Sequence, residues 1–358
     1  MRFPEFSGEW VSKTIGDIAP LQRGFDLPTG QINNGKFPVV YSNGIMNYHS
    51  SYKCVAPGLI TGRSGTIGKF TYIEDGYYWP HNTSLWVTDF YDNNPKFIYY
   101  LYQTIRIEQY STGSGVPTLN RNNVHRHKTF IPKLKEQNKI ATILSLLDER
   151  IATQTKIIEE LKKLKCAIIE KLYSKIQGKE YSFGQLFEVV NERNKQMKYS
   201  NILSASQEKG MVNRDDINLD IQFERSNINT YKIVRAGDYV IHLRSFQGGF
   251  AFSDKLGVCS PAYTILRPKE VLEYGYLSYF FMSRQFIKSL ILVTYGIRDG
   301  RSINVEEWLG MKTKLPSKKE QRKILNVLCC FDEKIQNEEN MLNKLSKQKQ
   351  YLLRQMFI

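Results

Sequence analysis

Gly62-Arg63-Ser64-Gly65-Thr66-Ile67-Gly68-Lys69 is the segment of this 358-residue chain that comes nearest to a reactive motif. Glycines closing on a lysine are the parts of a phosphate-cradling loop, in which backbone N–H groups and the lysine surround a nucleotide. The spacing does not fit. One residue too many separates Gly62 from Gly68, and Phe70 stands where a metal-binding Ser or Thr would follow Lys69. Nucleotide hydrolysis is therefore not expected.

Other reactive constellations fail in the same way. The histidines, at 49, 81, 125, 127 and 242, have no cysteine at zinc-ligand spacing, and His125 with His127 around Arg126 reads as a surface pair. Cys54, Cys166, Cys259, Cys329 and Cys330 are odd in number and form no Cys-x-x-Cys. They read as reduced, structural thiols, three of them on helices. A Gly-x-Ser-x-Gly elbow, a Gly-rich methyl-donor turn and a Pro-Pro-aromatic motif are all missing, and Asn93-Asn94-Pro95 is a turn signal. Asp148-Glu149 and Asp332-Glu333 read as solvated or paired helix faces. The sequence offers no catalytic centre, no metal site and no cofactor of its own.

What the Gly-rich loops do offer is hydrogen-bonding side chains on backbone that can approach a ligand closely. Arg63, Ser64 and Lys69 form one such set, and Arg244, Ser245 and Gln247 form its approximate partner in the second half. Arginine can read guanine through two hydrogen bonds in the major groove, and glutamine can read adenine. A second pair of loops holds Ser114, Thr118, Asn120 and Arg121 in one half and Arg298, Arg301, Ser302 and Asn304 in the other. Any one of these side chains could instead make a turn or bind a phosphate without reading sequence. As loop pairs they read as surfaces facing DNA.

The elements that must position those loops are duplicated. Ile131-Pro132-Lys133-Leu134-Lys135-Glu136-Gln137-Asn138-Lys139-Ile140 returns 184 positions later as Leu315-Pro316-Ser317-Lys318-Lys319-Glu320-Gln321-Arg322-Lys323-Ile324. Each copy continues without Pro or Gly. Ile140, Leu144, Leu147, Ile151, Gln154, Ile158, Leu161, Lys165, Ile168 and Leu172 alternate steps of four and three, which keeps one stripe on one side of a helix. Ile324, Leu328, Phe331, Ile335, Glu338, Leu342, Leu345, Lys349, Leu352 and Met356 repeat the stripe, polar interruptions included. Weaker echoes link Gly58-Leu59-Ile60 with Gly237-Asp238-Tyr239, and Thr118-Leu119-Asn120 with Ser302-Ile303-Asn304.

Four parts follow: a globular domain over 1–133, a helix over 134–176, a second domain over 177–317 and a second helix over 318–358. The domains mix β-prone runs, such as 37–41, 84–87, 239–243 and 262–266, with helical pieces near 96–110 and 273–290. The fold class is α+β. A continuous helix over 134–176 would extend ~65 Å, and its stripe needs a partner of matching length, which is the second copy packed antiparallel in the same chain. Two similar domains would then be related by a pseudo-twofold axis, with the helices as a ruler. Pairing between two molecules is the alternative.

Charge agrees with a polyanionic ligand. The net charge is +15, spread as +4 over 1–133, +3 over 134–176, +4 over 177–317 and +4 over 318–358. An extended polyanion touching both halves explains this better than a single basic arm, and nucleic acid is the obvious case. The chain has no run of eighteen apolar residues and its first ten lack the apolar stretch of a secretory signal, so cytoplasmic residence is expected.

In its order of elements and in the Pro-x-x-x-Glu-Gln-x-x-Ile entry to each helix, the chain resembles the specificity subunit of Type I restriction-modification systems. The residues that carry the resemblance are Ile131-Pro132 through Glu136-Gln137 with Ile140, and Leu315-Pro316 through Glu320-Gln321 with Ile324. Gly62, Gly65, Gly68 and the Leu119-Asn120 step also fit, whereas the second domain's glycines fall differently, at 248 and 249. The resemblance implies two target recognition domains, each reading one half of a split, asymmetric target in double-stranded DNA. It implies docking of two methyltransferase subunits and of restriction/translocase subunits. S-adenosylmethionine, ATP and magnesium would then be used by those partners. A self-sufficient DNA-modifying enzyme with diverged motifs, or a coiled-coil scaffold without a nucleic-acid role, are the competing readings.

Overall fold

The computed structural model describes residues 2–112, 117–206, 209–216, 225–242, 249–295 and 302–357. In chain order its helices are α1 (Ile15–Ile18), α2 (Pro95–Thr104), α3 (Arg121–His125), α4 (Leu134–Ser174), α5 (Phe183–Leu186), α6 (Tyr276–Phe280), α7 (Arg284–Ser289), α8 (Val305–Gly310) and α9 (Lys318–Met356). Contacts divide the chain into two units, Met1–Lys156 with Glu339–Ile358, and Ile157–Glu338. Each long helix therefore contributes to both. The fold class is the one expected, α+β, with α4 and α9 alongside sheet-rich globular parts.

In the first unit a strand at Val11–Thr14 pairs antiparallel with Lys128–Ile131, closing the globular part just before α4 begins. Thr14 N donates to Asp17 Oδ2 (3.2 Å), so the strand turns directly into α1. A four-stranded antiparallel sheet follows in the order Leu21–Arg23, Ser84–Val87, Gly58–Gly62, Phe70–Ile73. A second sheet orders Gly44–His49, Phe37–Tyr41, Tyr77–Pro80 and Cys54–Val55. Helix α2 starts at Asn94, whose side chain accepts from Phe97 N (2.9 Å), with Pro95 in the first turn.

The second unit repeats the plan. Lys179–Ser182 pairs with Lys312–Leu315, Ser182 and Gln185 form a capping box that opens α5, and the four-stranded sheet runs Phe187–Val190, Thr264–Pro268, Tyr239–Ile241, Phe250–Phe252. Where the first unit has a second four-stranded sheet, the described residues of the second form two antiparallel strand pairs, the hairpin Leu203–Ser206 with Gly210–Asn213 and the longer-range pair Lys232–Val234 with Gly257–Cys259.

Element boundaries differ from the sequence reading in instructive places. The helix expected over 96–110 ends at Thr104 and resumes as a tight 3-10 turn at Ile107–Tyr110. The helix expected over 273–290 is broken into α6 and α7, because Ser283 is extended (ψ 145) and its hydroxyl accepts from Phe286 N, starting a new helix. The strand expected over 262–266 is shifted to Thr264–Pro268, and that over 239–243 is described as Tyr239–Ile241.

Antiparallel packing of the two long helices is visible inside each unit. Ile140, Ala141 and Leu144 of α4 share the first core with Met356, against which Leu352, Leu353 and Phe357 pack. In the second unit Ile169 and Tyr173 of α4 share a core with Leu328 of α9, flanked by Ile168, Leu172, Ile324 and Leu325. Along the two stripes, Ile140, Leu144, Leu147, Ile158, Leu328, Ile335 and Met356 are buried. Ile151, Leu161, Ile168, Leu172, Ile324, Phe331, Leu342, Leu345 and Leu352 are half-buried. Toward the end of α4 the most buried face moves one residue on, to Ile169 and Tyr173.

The repeated Gln explains the repeated motif. Gln137, 2% exposed, donates through Nε2 to the Pro132 carbonyl (2.9 Å) and accepts at Oε1 from Asn94 N (2.9 Å). Gln321, 0% exposed, donates to the Pro316 carbonyl (3.0 Å) and accepts from Glu273 N (2.9 Å). One side chain thus ties the entry of the long helix to the loop that opens the helices packed on it. Buried backbone groups left without such a partner would be costly.

Candidate nucleic-acid interface

The loop Gly62–Gly68 joins two strands of the first unit's main sheet, and its glycines serve the backbone. A Cβ on Gly62 would lie 1.9 Å from the Thr66 carbonyl oxygen, and Gly65 and Gly68 hold φ of +78 and +83. This is a folded-back turn that projects Arg63 and Ser64, not a ring of amides around an anion.

The two loops singled out in the first half are joined by their backbones. Arg63 N donates to the Thr83 carbonyl (2.9 Å), Leu119 N donates to the Arg63 carbonyl (2.7 Å), and Ser64 bridges to Thr118. Arg63, Ser64 and Thr118 therefore sit side by side. The Arg63 guanidinium is partly exposed and has no hydrogen bond or ion pair among the described residues. Asn120 follows as the cap of α3, accepting from Asn122 N (3.0 Å), and Arg121 is exposed at that helix's first position. Lys69 turns the other way and donates to the Asn43 carbonyl (2.7 Å).

That last bond brings in residues the sequence reading passed over. The turn at Ser42 and Asn43 joins strands Phe37–Tyr41 and Gly44–His49, and Ser42 Cβ would be 3.2 Å from a Cβ on Gly62. The Tyr41 ring lies 4.2 Å from His81, whose Nδ1 meets Thr83 Oγ1 at 3.0 Å. Asn43-Gly44 between two β-prone runs was the available signal for this hairpin, and Gly44 adopts φ +116.

In the first unit Ser111–Thr112 pairs with Thr118–Leu119, in the second Thr294–Tyr295 pairs with Ser302–Ile303, and Asn304 caps α8 by accepting from Glu306 N (3.1 Å) and Glu307 N (3.3 Å). The amide oxygens of Asn120 and Asn304 are thus both used as helix caps. Ser114, Arg244, Ser245, Gln247, Arg298 and Arg301 lie outside the described residues, as does the side chain of Ser302.

Two expectations are corrected. His125 and His127 are not a surface pair: both are half-buried, His125 Nε2 accepts from Leu21 N (2.8 Å), and His127 Nδ1 bonds the Tyr110 hydroxyl (2.8 Å). Burial lowers the pKa of each, reinforced at His125 by the Arg121 charge. Among the cysteines, Cys166, Cys329 and Cys330 are exposed rather than packed. Cys54 and Cys259 are buried, and burial pushes their thiols up to about 11 and about 12, which removes them as nucleophiles. Among the described residues no cluster of His, Cys, Asp or Glu could hold a metal, and no helix is long and apolar enough to cross a membrane. What the arrangement presents is hydrogen-bond donors on rigid turns. Arg63 offers a planar fork matched to a guanine edge or a phosphate.

Comparison with known proteins shows what the chain is similar to. Residues 7–163 match the family described as Type I restriction modification DNA specificity domain. The chain is 26% identical over 296 residues, 71% of its length and 68% of the relative's, to the Type I restriction enzyme MjaVIII specificity subunit of Methanocaldococcus jannaschii. The Type I restriction-modification S subunit from M. genitalium covers 100% of this chain with 99% of its own, at TM-score 0.62 and 17% identity. A chain solved in work on complex assembly and conformational transition of the type I R-M system covers 98% of this chain with 98% of its own, at TM-score 0.58 and 14% identity. The two structural likenesses speak for the fold. The sequence matches show that the chain is similar to specificity subunits of Type I restriction-modification systems.

Proposed function

We propose that each unit reads one half of a split, asymmetric DNA target and that the helix pair sets the unread spacer between the halves. Residues 1–133 and 177–317 act as the two target recognition domains, and 134–176 and 318–358 as the spacer helices. Two methyltransferase subunits dock on those helices and restriction/translocase subunits join them. S-adenosylmethionine, ATP and magnesium are used by these partners, in the cytoplasm. The observation that supports this reading most is a shared framework carrying unlike outer elements: the same four-stranded sheet order and Gln tie in both units, with different strands beside them. A repeated frame suits docking to like partners, and unlike outer parts suit unlike half-sites.

Arg63 is the side chain we assign to direct reading in the first unit, with Ser64, Thr118 and Arg121 beside it and Lys69 supporting the neighbouring turn. The test is methylation mapping of the host genome followed by binding of the purified complex to the mapped motif at two salt concentrations. Salt-sensitive association that depends on both half-sites is expected. Arg63→Ala should cost ~1–3 kcal/mol against its own half-site and nothing against the other. Sequence-blind binding would overturn the reading.

A further inference from the structure

In each unit a tyrosine from the globular part and a lysine from one long helix meet at a single carboxylate of the other long helix. Tyr100 of α2 donates to Asp148 Oδ2 of α4 at 2.8 Å, and Lys349 of α9 pairs with Asp148 Oδ1 at 2.6 Å while standing 5.6 Å from the Tyr100 ring centre. In the second unit Tyr279 of α6 donates to Asp332 Oδ2 of α9 at 2.6 Å. Lys165 of α4 pairs with Asp332 and stands 5.0 Å from the Tyr279 ring centre. The fourth members match as well, Ser145 at 3.3 Å from the Tyr100 hydroxyl and Cys329 at 3.7 Å from that of Tyr279.

The 184-residue shift converts Ser145, Asp148 and Lys165 into Cys329, Asp332 and Lys349. Each aspartate is therefore bonded to the lysine of the other copy. These lysines are among the polar interruptions of the apolar stripes, and their side chains are only 14% and 18% exposed. An aliphatic residue would fill such a position more favourably. A polar residue in a helix–helix seam earns its place by selecting one register, since any other leaves it buried without a partner. A slip of one helical turn moves it ~5.4 Å, out of reach of its carboxylate and further than one ~3.4 Å base step.

We propose that the Tyr100–Asp148–Lys349 and Tyr279–Asp332–Lys165 junctions are positioning devices that fix the register at which each globular part sits on the helix pair, and with it the spacer length the chain accepts. This rests on the bipartite reading above. The tyrosine matters as much as the ion pair, because its hydroxyl ties the globular part to the carboxylate that the two helices share.

The experiment uses the full complex with its methyltransferase subunits and duplexes carrying the mapped half-sites at the native spacer, one base pair shorter and one longer. The variants are Lys165→Met with Lys349→Met, Tyr100→Phe with Tyr279→Phe, and the charge exchange Asp148→Lys, Lys349→Asp, Asp332→Lys, Lys165→Asp. Wild type should prefer the native spacer at least tenfold. The two loss variants should narrow that preference at least fivefold while affinity for a duplex with one half-site is unchanged, and the exchange should return most of it. An unchanged preference in the loss variants overturns the proposal. If the lysine variant fails to assemble, the tyrosine variant decides on the same criterion. Wild type that ignores spacer length overturns the bipartite reading itself, and the junctions' role falls with it.

Discussion

At the crossing of the two short helices the units solve one packing problem with different volumes. The first unit fills the space between α1 and α3 with Ile15 and Val124, both 0% exposed. The second fills the space between α5 and α8 with Phe183 and Trp308, stacked at 4.4 Å and 8°. The caps Asn120 and Asn304 align these sites, so Val124 and Trp308 occupy equivalent positions. Similar topology therefore does not need similar cores. What is held constant is the glutamine tie and the Tyr–Asp–Lys junction to the long helices, while apolar contents are free to change together.

The steepest way to test that contrast is to empty both sites. Trp308→Ala removes a fully buried indole and the ring stacked on Phe183, and should cost ~3–5 kcal/mol. Val124→Ala removes two methylenes' worth of surface and should cost about 2 kcal/mol. Denaturant unfolding followed by hydrogen exchange would assign each loss to its own unit. Equal costs, or a loss that spreads to the other unit, would show that the cores are not independent.

The polar ties predict the opposite pattern, equality. Gln137→Ala and Gln321→Ala each leave a buried proline carbonyl and a half-buried N–H without the glutamine, and each should cost about 2–3 kcal/mol. The neighbouring glutamates should not match. Glu136 is buried and accepts from Arg2 through both oxygens and from Trp10. Glu320 is exposed and only closes a capping box with Ser317. Glu320→Ala should cost ~1 kcal/mol or less, and Glu136→Ala should cost more. Thermal melts of the four variants would show whether glutamine alone carries the shared role.

The duplication, the two long helices and the strands at 37–41 and 84–87 were legible because period and punctuation are local properties. Break points such as Ser283 were not, since a hydroxyl capping a new helix competes with continuing the old one and the winner is set by packing. The pairing of Asp148 with Lys349 was half legible: the sequence placed equivalent acids and equivalent lysines on both helices, but only an antiparallel seam brings one to the other. His125 and His127 were misread because their partners, Leu21 and Tyr110, come from strands and turns distant in sequence. That Arg63 lies on a loop was legible because its glycines announced one. The Ser42–Asn43 turn, announced by Asn43-Gly44, gained its relevance only from where Lys69 reaches.

The smallest predicted difference between the units is in acid. His81, His125 and His127 all belong to the first unit, and burial sets the pKa of each below the ordinary histidine value. Below pH ~6.5 the unfolded chain takes up protons that these folded imidazoles still refuse. Their contribution is therefore complete above that pH and is lost as pH falls toward the depressed folded-state values. His125 is the informative one, because its Nε2 must stay unprotonated to accept from Leu21 N. Hydrogen exchange between pH 7.5 and 5.5 should show the Leu21–Arg23 strand and α3 loosening first, with the second unit's main sheet unaffected. His125→Gln keeps an acceptor that does not titrate, so it should flatten that pH dependence. An equal acid response in both units, or one unchanged by His125→Gln, would remove the imidazoles as its cause.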